Sequence, residues 1–208
     1  MKITIGVTGS ISAYKSASLV SALSKEHEVN VIMTKNATNF ITPLTLETLS
    51  KNKVMIDEFE NSNPKFVEHI EYGQNVDLLV IVPATANIIG KIANGIADDL
   101  LSSTVLAATC DVLICPAMNE KMYLNKIVQD NIKKLKSYNY IITISNKSQV
   151  FFNTFKKVLT FEPIYAIITS TNRFYGILNG GNHAKWTTAP TGTIVRPVPQ
   201  FLYVIYQA

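Results

Sequence analysis

The chain begins with a pattern of apolar and polar positions that predicts a strand followed by a helix. The strand covers residues 2–8, and beyond Gly9 and Ser10 the apolar residues Leu19 and Leu23 recur at helical spacing. The same alternation continues with a strand over 28–33, a helix over 43–50, a strand over 77–82, helices over 85–93 and 98–109, a strand over 112–115, a helix over 126–136 and a strand over 140–144. This order predicts a doubly wound α/β fold, Rossmann- or flavodoxin-like, with a mostly parallel sheet and helices on both faces.

The strand over 77–82 is the most apolar of the set, and it ends at Pro83. A run without polar alternation is typical of a central parallel strand that is covered on both faces. In open sheets of this kind, ligands bind beyond the carboxyl ends of the strands. The residues that follow each strand are therefore the candidates for the site.

The character of the chain changes near residue 140. Residues 1–140 hold 13 Lys and Arg against 14 Asp and Glu, whereas residues 141–208 hold 6 against 1. The formal charge of +4 thus arises in the C-terminal segment and does not indicate a nucleic-acid partner. Because the alternation of strands and helices also stops there, we predict one domain over 1–145 and an atypical segment over 146–208 to which no domain is assigned.

Neither a membrane span nor a secretory signal is predicted, because no uncharged apolar run is long enough and the first residues lead directly into a strand. The two cysteines, Cys110 and Cys115, are too few for a zinc site and lie in an apolar stretch. Core packing is a more frequent role for such residues than a functional pair. We expect a cytoplasmic protein without a metal.

The turn after the first strand contains Gly9 and Ser10 and leads to Lys15 and Ser16. It is not a P-loop, because position 14 is Tyr14 where a glycine would have to precede the lysine. The glycine spacing also differs from the dinucleotide fingerprint. Two interpretations remain, a site for a single phosphate or a flavin edge, and a simple tight turn.

Polar or small residues also follow the second and third predicted strands. Thr34, Lys35 and Asn36 supply hydroxyl, ammonium and amide groups that suit a phosphate, and no acid is present to bind a ribose, although ordinary surface polarity is an alternative. At the third strand end, small residues would let the backbone approach a flat ring, and Asn87 offers a donor and an acceptor to its edge. Asp98 and Asp99 are expected to cap a helix.

Six motifs occur in an order that resembles the phosphopantothenoylcysteine decarboxylases. They are Gly-Ser-Ile-Ser-Ala-Tyr-Lys at 9–15, Thr-Pro-Leu-Thr at 42–45, Glu-His-Ile at 68–70, Pro-Ala-Thr-Ala-Asn at 83–87, Asn-Gly-Ile-Ala-Asp-Asp-Leu at 94–100 and Pro-Ala-Met-Asn at 116–119. Those enzymes belong to the homo-oligomeric flavin-containing cysteine decarboxylases, which include peptidyl-cysteine decarboxylases of lantibiotic maturation. The resemblance covers residues 1 to about 140.

The resemblance implies an FMN-dependent decarboxylase that converts 4′-phosphopantothenoylcysteine to 4′-phosphopantetheine in coenzyme A biosynthesis. In that family the flavin oxidises the cysteine side chain, carbon dioxide leaves, and the enethiol is then reduced. The family pattern implies that His69 and Asn119 are catalytic and that Met118 and Asn119 bind the substrate. It implies a flavin site made of Gly9, Ser10, Ile11, Thr34, Lys35, Asn36, Thr85, Ala86, Asn87 and Ile88. It also implies a homotrimer or homododecamer with the site at a subunit interface.

The sequence departs from the family after Tyr140, because no cysteine follows Cys115 and the family's glycine-rich cysteine segment is absent. Three explanations compete: an enzyme that stops at the enethiol, a flavin-binding relative without decarboxylase activity, and a shift of reading frame near residue 141, which the abrupt loss of acids favours. Two other functions stay open, a lantibiotic-type peptidyl-cysteine decarboxylase and a non-catalytic flavoprotein regulatory subunit. The retained His69 and Asn119 argue against the second.

Overall fold

The computed structural model describes residues 1–57 and 67–143, which contain a six-stranded sheet. Every pairing between neighbouring strands is parallel, and the strand order is β3-β2-β1-β4-β5-β6. The strands are β1 (Lys2–Val7), β2 (Glu28–Met33), β3 (Val54–Met55), β4 (Leu78–Ala84), β5 (Asp111–Pro116) and β6 (Ile141–Ile142). The predicted doubly wound parallel sheet is therefore confirmed.

The direction of strand addition reverses between β1 and β4. The chain adds β2 and β3 on one side of β1, then crosses over so that β4 pairs with the other side of β1, with Ile3 opposite Leu78. Adjacent loops leave the sheet in opposite directions at such a reversal, which opens a crevice beyond the carboxyl ends of the two strands. The candidate site lies at this crevice.

The helices that connect the strands are α1 (Ser16–Leu23), α2 (Pro43–Ser50), α3 (Glu68–Gln74), α4 (Ala86–Ala93), α5 (Leu100–Ala107), α6 (Glu120–Tyr123) and α7 (Lys126–Ser137). Their contacts form two groups, since α1 contacts α2, while α3 and α4 contact α5 and α4 contacts α7. Right-handed crossovers place connections that run in opposite directions along a sheet on opposite faces. Both faces of the sheet are therefore covered, as predicted.

The centre of the core is β4, in which all seven residues are buried. Leu79 and Ile81 have no exposed surface, and they pack in one cluster with Ile88, Leu100 and other residues of the covering helices. Each such side chain contributes about 1.5–3 kcal/mol through removal of its apolar surface from water. The absence of polar alternation in this strand thus reflects burial on both faces.

The predicted and observed elements differ mainly where an element is short. The two residues of β3, the four of α6 and the seven of α3 are too few to display a period, and the sequence analysis did not predict them. The predicted helix over 98–109 is shorter, because Asp99 is its N-cap and Ala107 its last residue. The last predicted strand is observed only at Ile141–Ile142. The atypical segment over 146–208 lies outside the described residues.

Among the helices that the structure describes, none has the length and apolar character needed to cross a membrane.

Candidate functional site

A cavity of about 490 Å³ opens at the carboxyl ends of β1, β2 and β4. Its walls come from the loops after these strands, from the start of α4 and from the turn between α4 and α5. The residues that line it are Thr8, Gly9, Met33, Thr34, Lys35, Asn36, Ile56, Asp57, Thr85, Ala86, Asn87, Ile88, Lys91, Asp98, Asp99, Leu100, Leu101 and Met122. Its volume is within the roughly 300–1,000 Å³ that is usual for small-molecule pockets.

Gly9 lets the first two loops approach each other closely. A Cβ atom at this position would lie 2.6 Å from the Cβ of Asn36 and 3.0 Å from its backbone carbonyl carbon. A separation under 3 Å cannot be accommodated without a shift of the backbone. The glycine is therefore required by the packing of the cavity wall.

The loops after β1 and β4 are joined by buried hydroxyl groups. Thr8 is 1% exposed, its Oγ1 donates to the carbonyl oxygen of Pro83 at 2.6 Å, and it accepts a hydrogen bond from the amide of Thr85 at 3.0 Å. Ser16 adds a second bond, from its Oγ to the carbonyl oxygen of Val82 at 2.8 Å. These bonds fix the start of α4 relative to the first loop.

The N-terminus of α4 forms part of the cavity wall. Thr85 is the N-cap and accepts a hydrogen bond from the amide of Ile88, and Ala86 and Asn87 form the first turn. The first amides of a helix have no partner within the helix and carry partial positive charge, so they suit an anionic or polar group. Thr85, Ala86, Asn87 and Ile88 all line the cavity.

Charged residues lie on two sides of the cavity. Lys35 pairs with Asp57 at 3.6 Å, and the lysine side chain is largely exposed while that of Asp57 is about half exposed. Lys91 contacts Asp98 at 2.6 Å and Asp99 at 2.7 Å and is only 18% exposed. Burial by itself would lower the pKa of Lys91, but hydrogen bonds to the two carboxylates hold that pKa above its ordinary value. Lys91 therefore remains charged throughout the neutral range.

The loop after β5 continues the same edge of the sheet. The amide of Ala117 donates to the carbonyl oxygen of Ala84 at 2.9 Å, which ties this loop to the end of β4. Asn119 is exposed and caps α6, accepting a hydrogen bond from the amide of Lys121 at 2.9 Å. Met122, also in α6, lines the cavity. Met118 and Asn119 thus lie in the loop between the end of β5 and α6, and neither is among the residues that line the cavity.

His69 lies in the first turn of α3, which is held tightly against α5. A Cβ atom at Gly73 would lie 2.7 Å from the carbonyl oxygen of Thr104, so the two helices approach closely. His69 is partly buried, and the neighbouring Glu68 is 3% exposed. Within the described part of the chain, His69 is not among the residues that line the cavity. The catalytic role of His69 therefore stays a prediction.

Neither cysteine is placed as a reactive thiolate. Cys115 is buried in β5, and burial raises the pKa of its thiol to about 12, with Thr143 opposing part of that shift. Partial burial also raises the pKa of Cys110 above its ordinary value. Among the described residues, no group of three or more His, Cys, Asp and Glu side chains is placed to hold a metal ion.

Eight of the ten residues expected to bind flavin line one cavity, and they are Gly9, Thr34, Lys35, Asn36, Thr85, Ala86, Asn87 and Ile88. Ser10 and Ile11 follow Gly9 directly but are not part of its wall, and Ile11 is 75% exposed. Ten other residues of the wall were not predicted to bind flavin, and they are Thr8, Met33, Ile56, Asp57, Lys91, Asp98, Asp99, Leu100, Leu101 and Met122. Asp98, Asp99 and Leu100 belong to the motif over 94–100, and the two acids follow Lys91 across a glycine turn, which is the sequence signal for that lysine.

The cavity suits the flavin that the sequence motifs imply. Its donor set combines the α4 amides, which suit an anionic or polar edge, with Thr34, Lys35 and Asn36, which suit a phosphate. The close approach at Gly9 leaves no room for a side chain where the first loop meets the second. Among the residues of its wall, apolar side chains such as Met33, Ile88 and Leu101 would contact a flat ring.

Comparison with known proteins places these features in a family. The flavoprotein family model matches residues 1–173. The chain is 50% identical over 139 residues to the coenzyme A biosynthesis bifunctional protein CoaBC of Borreliella burgdorferi, covering 66% of this chain and 35% of that protein. It is 38% identical over 199 residues to the CoaBC protein of Bacillus subtilis, covering 94% and 49%. The chain thus spans between a third and a half of these bifunctional relatives.

A relative of more similar length is the probable phosphopantothenoylcysteine decarboxylase of Streptococcus mutans, with 44% identity over 142 residues that cover 67% of this chain and 79% of that protein. The FMN-dependent cysteine decarboxylase SpaF is similar in structure, with a TM-score of 0.65, 34% identity and coverage of 68% and 82%. A phosphopantothenoylcysteine decarboxylase mutant complexed with pantothenoylaminoethenethiol has a TM-score of 0.63, 29% identity and coverage of 70% and 82%.

The family match passes the point at which the sequence motifs end. It extends to residue 173, and the alignment with the Bacillus subtilis protein covers nearly the whole chain. The alignments with the Borreliella burgdorferi and Streptococcus mutans proteins, by contrast, cover only 139 and 142 residues. A shift of reading frame near residue 141 therefore stays a prediction, as do the other two explanations of the missing cysteine segment.

Proposed function

The chain belongs to the flavoprotein family, and on that premise we propose that it is an FMN-dependent enzyme that oxidises and decarboxylates 4′-phosphopantothenoylcysteine. This reaction gives 4′-phosphopantetheine when the enethiol is then reduced. The observation that carries the proposal is that one cavity is lined by eight of the ten residues that the family resemblance assigns to the flavin. The relatives with coenzyme A names are 38–50% identical to this chain, which favours the free substrate over a peptide.

FMN, when bound, supplies a reversible two-electron acceptor for the side chain of the cysteine. The residues of this chain bind and orient the reactants. The α4 amides and the loop over Thr34, Lys35 and Asn36 hold the flavin, and Thr8 keeps these two walls in register. Asn119, with Met118, positions the cysteine end of the substrate next to α6, because its exposed amide offers both a donor and an acceptor.

His69 is the proposed proton acceptor, since a nitrogen of its imidazole can take a proton as the cysteine is oxidised. Its position outside the cavity of its own chain supports a site that is shared between copies. Large apolar side chains on segments near the cavity are exposed, including Ile11 at 75%, Phe40 at 44% and Leu44 at 69%. Burial of such residues favours association. These observations support association, and with the oligomers that the family resemblance implies we propose a homotrimer or homododecamer with the site at a subunit interface.

A mixing experiment tests the shared site. His69→Asn and Asn119→Asp are each expected to be inactive alone. If one copy supplies the imidazole and another the amide, co-assembled variants recover about a quarter of wild-type activity through sites that combine the two intact residues. Recovery is not expected if both residues act within one chain. Light scattering on the purified protein measures the oligomer directly.

The proposed reaction is tested with purified protein, its absorption spectrum and 4′-phosphopantothenoylcysteine. A yellow protein is expected, and the product mass identifies the outcome. Because no cysteine follows Cys115, we expect the enethiol, which lacks carbon dioxide and two hydrogens, to accumulate. Loss of carbon dioxide alone would show that the enethiol is reduced without that cysteine.

Two further results would redirect the proposal. Turnover of a peptide with a C-terminal cysteine, and none of the free substrate, would identify a peptidyl-cysteine decarboxylase. A yellow protein that is inactive towards both would favour a non-catalytic flavoprotein. Folded protein that is colourless and does not bind added FMN would overturn the whole assignment. We place the enzyme in the cytoplasm with a small-molecule substrate and no nucleic-acid partner.

A further inference from the structure

Lys91 is held between two carboxylates at the wall of the cavity. Its Nζ lies 2.6 Å from Oδ1 of Asp98 and 2.7 Å from Oδ2 of Asp99. The side chain of Lys91 is 18% exposed, against 58% for Asp98 and 29% for Asp99, so the lysine is the innermost of the three. All three line the cavity.

The backbone of this turn is stabilised without the lysine side chain. Helix α4 ends at Ala93, and the chain turns at Gly95, which has a φ of 67°. The amide of Ile96 donates to the carbonyl oxygen of Lys91 at 3.0 Å. Asp99 then caps α5 through reciprocal bonds with Ser102, whose amide donates to Asp99 Oδ1 at 2.8 Å. These hydrogen bonds hold the backbone of the turn without the side chain of Lys91. We therefore look for a role of its ammonium group other than stabilising the turn.

That role follows from the charges around the cavity. The described wall carries two cations, Lys35 and Lys91, and three anions, Asp57, Asp98 and Asp99. Lys35 is already paired with Asp57. Without Lys91, two uncompensated carboxylates would face any ligand in the cavity, and like charges in a partly enclosed site repel strongly.

We propose that Lys91 is a positioning residue for the flavin, which holds Asp98 and Asp99 to the wall and cancels carboxylate charge that would otherwise repel the flavin phosphate. This inference rests on the proposed function, because it requires that the cavity bind FMN. It concerns the affinity for the phosphate-bearing cofactor, which is measured in binding experiments without turnover.

The test compares the dissociation constants of FMN and riboflavin, which differ only in the phosphate, by fluorescence titration of flavin-free protein. Lys91→Met should weaken FMN binding about tenfold and riboflavin binding much less, since repulsion acts on the phosphate. Lys91→Arg should preserve the affinity for FMN. The double variant Lys91→Met with Asp98→Asn should recover most of the affinity for FMN, because it removes one of the two carboxylates that repel the phosphate. High salt should reduce the effect of Lys91→Met.

Lys133→Met is the matched control, because Lys133 also pairs with an aspartate of a helix, Asp130 at 3.7 Å, but lies on the exposed surface. It should leave both constants unchanged. Equal weakening of FMN and riboflavin by Lys91→Met would overturn the proposal and assign the lysine to the fold alone. An unchanged FMN constant would also overturn it.

Asp98→Asn provides a second variant should Lys91→Met not fold, because Asp98 is the most exposed of the three residues. Removal of one carboxylate should tighten FMN binding relative to riboflavin, and an unchanged ratio would contradict the proposal. The wild-type protein distinguishes failure of the proposed function from failure of the role of Lys91. If wild type binds no flavin, the proposed function is wrong. If wild type binds FMN and substitutions at residues 91 and 98 do not change the affinity, only the role of Lys91 is wrong.

Discussion

The hydroxyl group of Thr8 donates to the carbonyl oxygen of Pro83 at 2.6 Å and so joins the ends of β1 and β4. The same oxygen accepts a hydrogen bond from the amide of Thr85, the N-cap of α4. One buried hydroxyl therefore satisfies a carbonyl and an amide from a loop that is 75 to 77 residues away in sequence. This relationship sets the distance between the first loop and the helix N-terminus that together line the cavity.

Thr8→Val is expected to destabilise the fold by about 1–3 kcal/mol, because it leaves two buried polar groups without their partner. Thr8→Ser should retain most of the stability, since the hydroxyl remains. Urea unfolding of the flavin-free protein measures both. Thr48→Val is the control, because Thr48 Oγ1 donates to the carbonyl oxygen of Leu44 in an exposed part of α2. An equal loss for positions 8 and 48 would contradict the proposed linkage.

Gly9→Ala should weaken flavin binding by at least about tenfold, since the added methyl group would displace Asn36 from the cavity wall. The measurement is the dissociation constant for FMN. Gly90→Ala is a matched control, because the nearest atom to a Cβ there is 3.7 Å away and alanine is favoured within a helix by about 1 kcal/mol. Full FMN affinity in Gly9→Ala would show that the close approach is not needed for binding.

His69→Asn and Asn119→Asp should keep the yellow colour and lose turnover by about 100-fold or more. The reason is that neither residue lines the cavity of its own chain, so the flavin site stays intact. Absorption spectra and product formation are measured on the same samples. His27→Asn serves as a control, because His27 directly precedes β2 and so lies at the amino ends of the strands, whereas the cavity lies at their carboxyl ends. Loss of colour in His69→Asn would instead assign that residue to cofactor binding.

Asp99 gives the stability of the fold a defined dependence on pH. Burial alone would raise its pKa, but hydrogen bonds from Lys91 and Ser102 hold that pKa below the ordinary value of 3.8. A depressed carboxyl pKa contributes stability above the unfolded value and loses it as pH falls through the folded value. The pKa of Lys91 is raised, so its contribution is complete below its ordinary value of 10.5 and declines only at more alkaline pH.

Asp99→Asn keeps a good N-cap but removes the charge, so it isolates this effect. We expect wild type to be more stable than the variant by on the order of 1 kcal/mol near neutral pH. The difference should begin to shrink below about pH 4, where the carboxylate is protonated in the unfolded chain, and should vanish once the pH falls below the lower pKa of the folded state. Urea midpoints across this range test the prediction, with Asp130→Asn as the surface control. A difference that is independent of pH would contradict the assigned ion pair.

Local pattern alone was sufficient to predict much of this protein. The bounds of β2 and α2 were predicted to the residue, because a six-residue strand and a Pro43-initiated helix carry their signals within their own sequence. The burial of β4 followed from its lack of polar residues. The sheet type followed from the order of elements, and most of the expected flavin residues follow strands that end at one edge. The order of six motifs identified the family, which the comparisons confirmed.

Only the tertiary structure decided which of these residues meet. The contact of Gly9 with Asn36 and the bond of Thr8 to Pro83 join segments that are distant in sequence, and no local period reports such distances. Lys91 meets Asp98 and Asp99 because a left-handed turn at Gly95 reverses the chain. His69 lies outside the cavity because α3 is packed against α5. The sequence determined the elements through local interactions, while the relative placement of their ends depended on packing across the whole sheet.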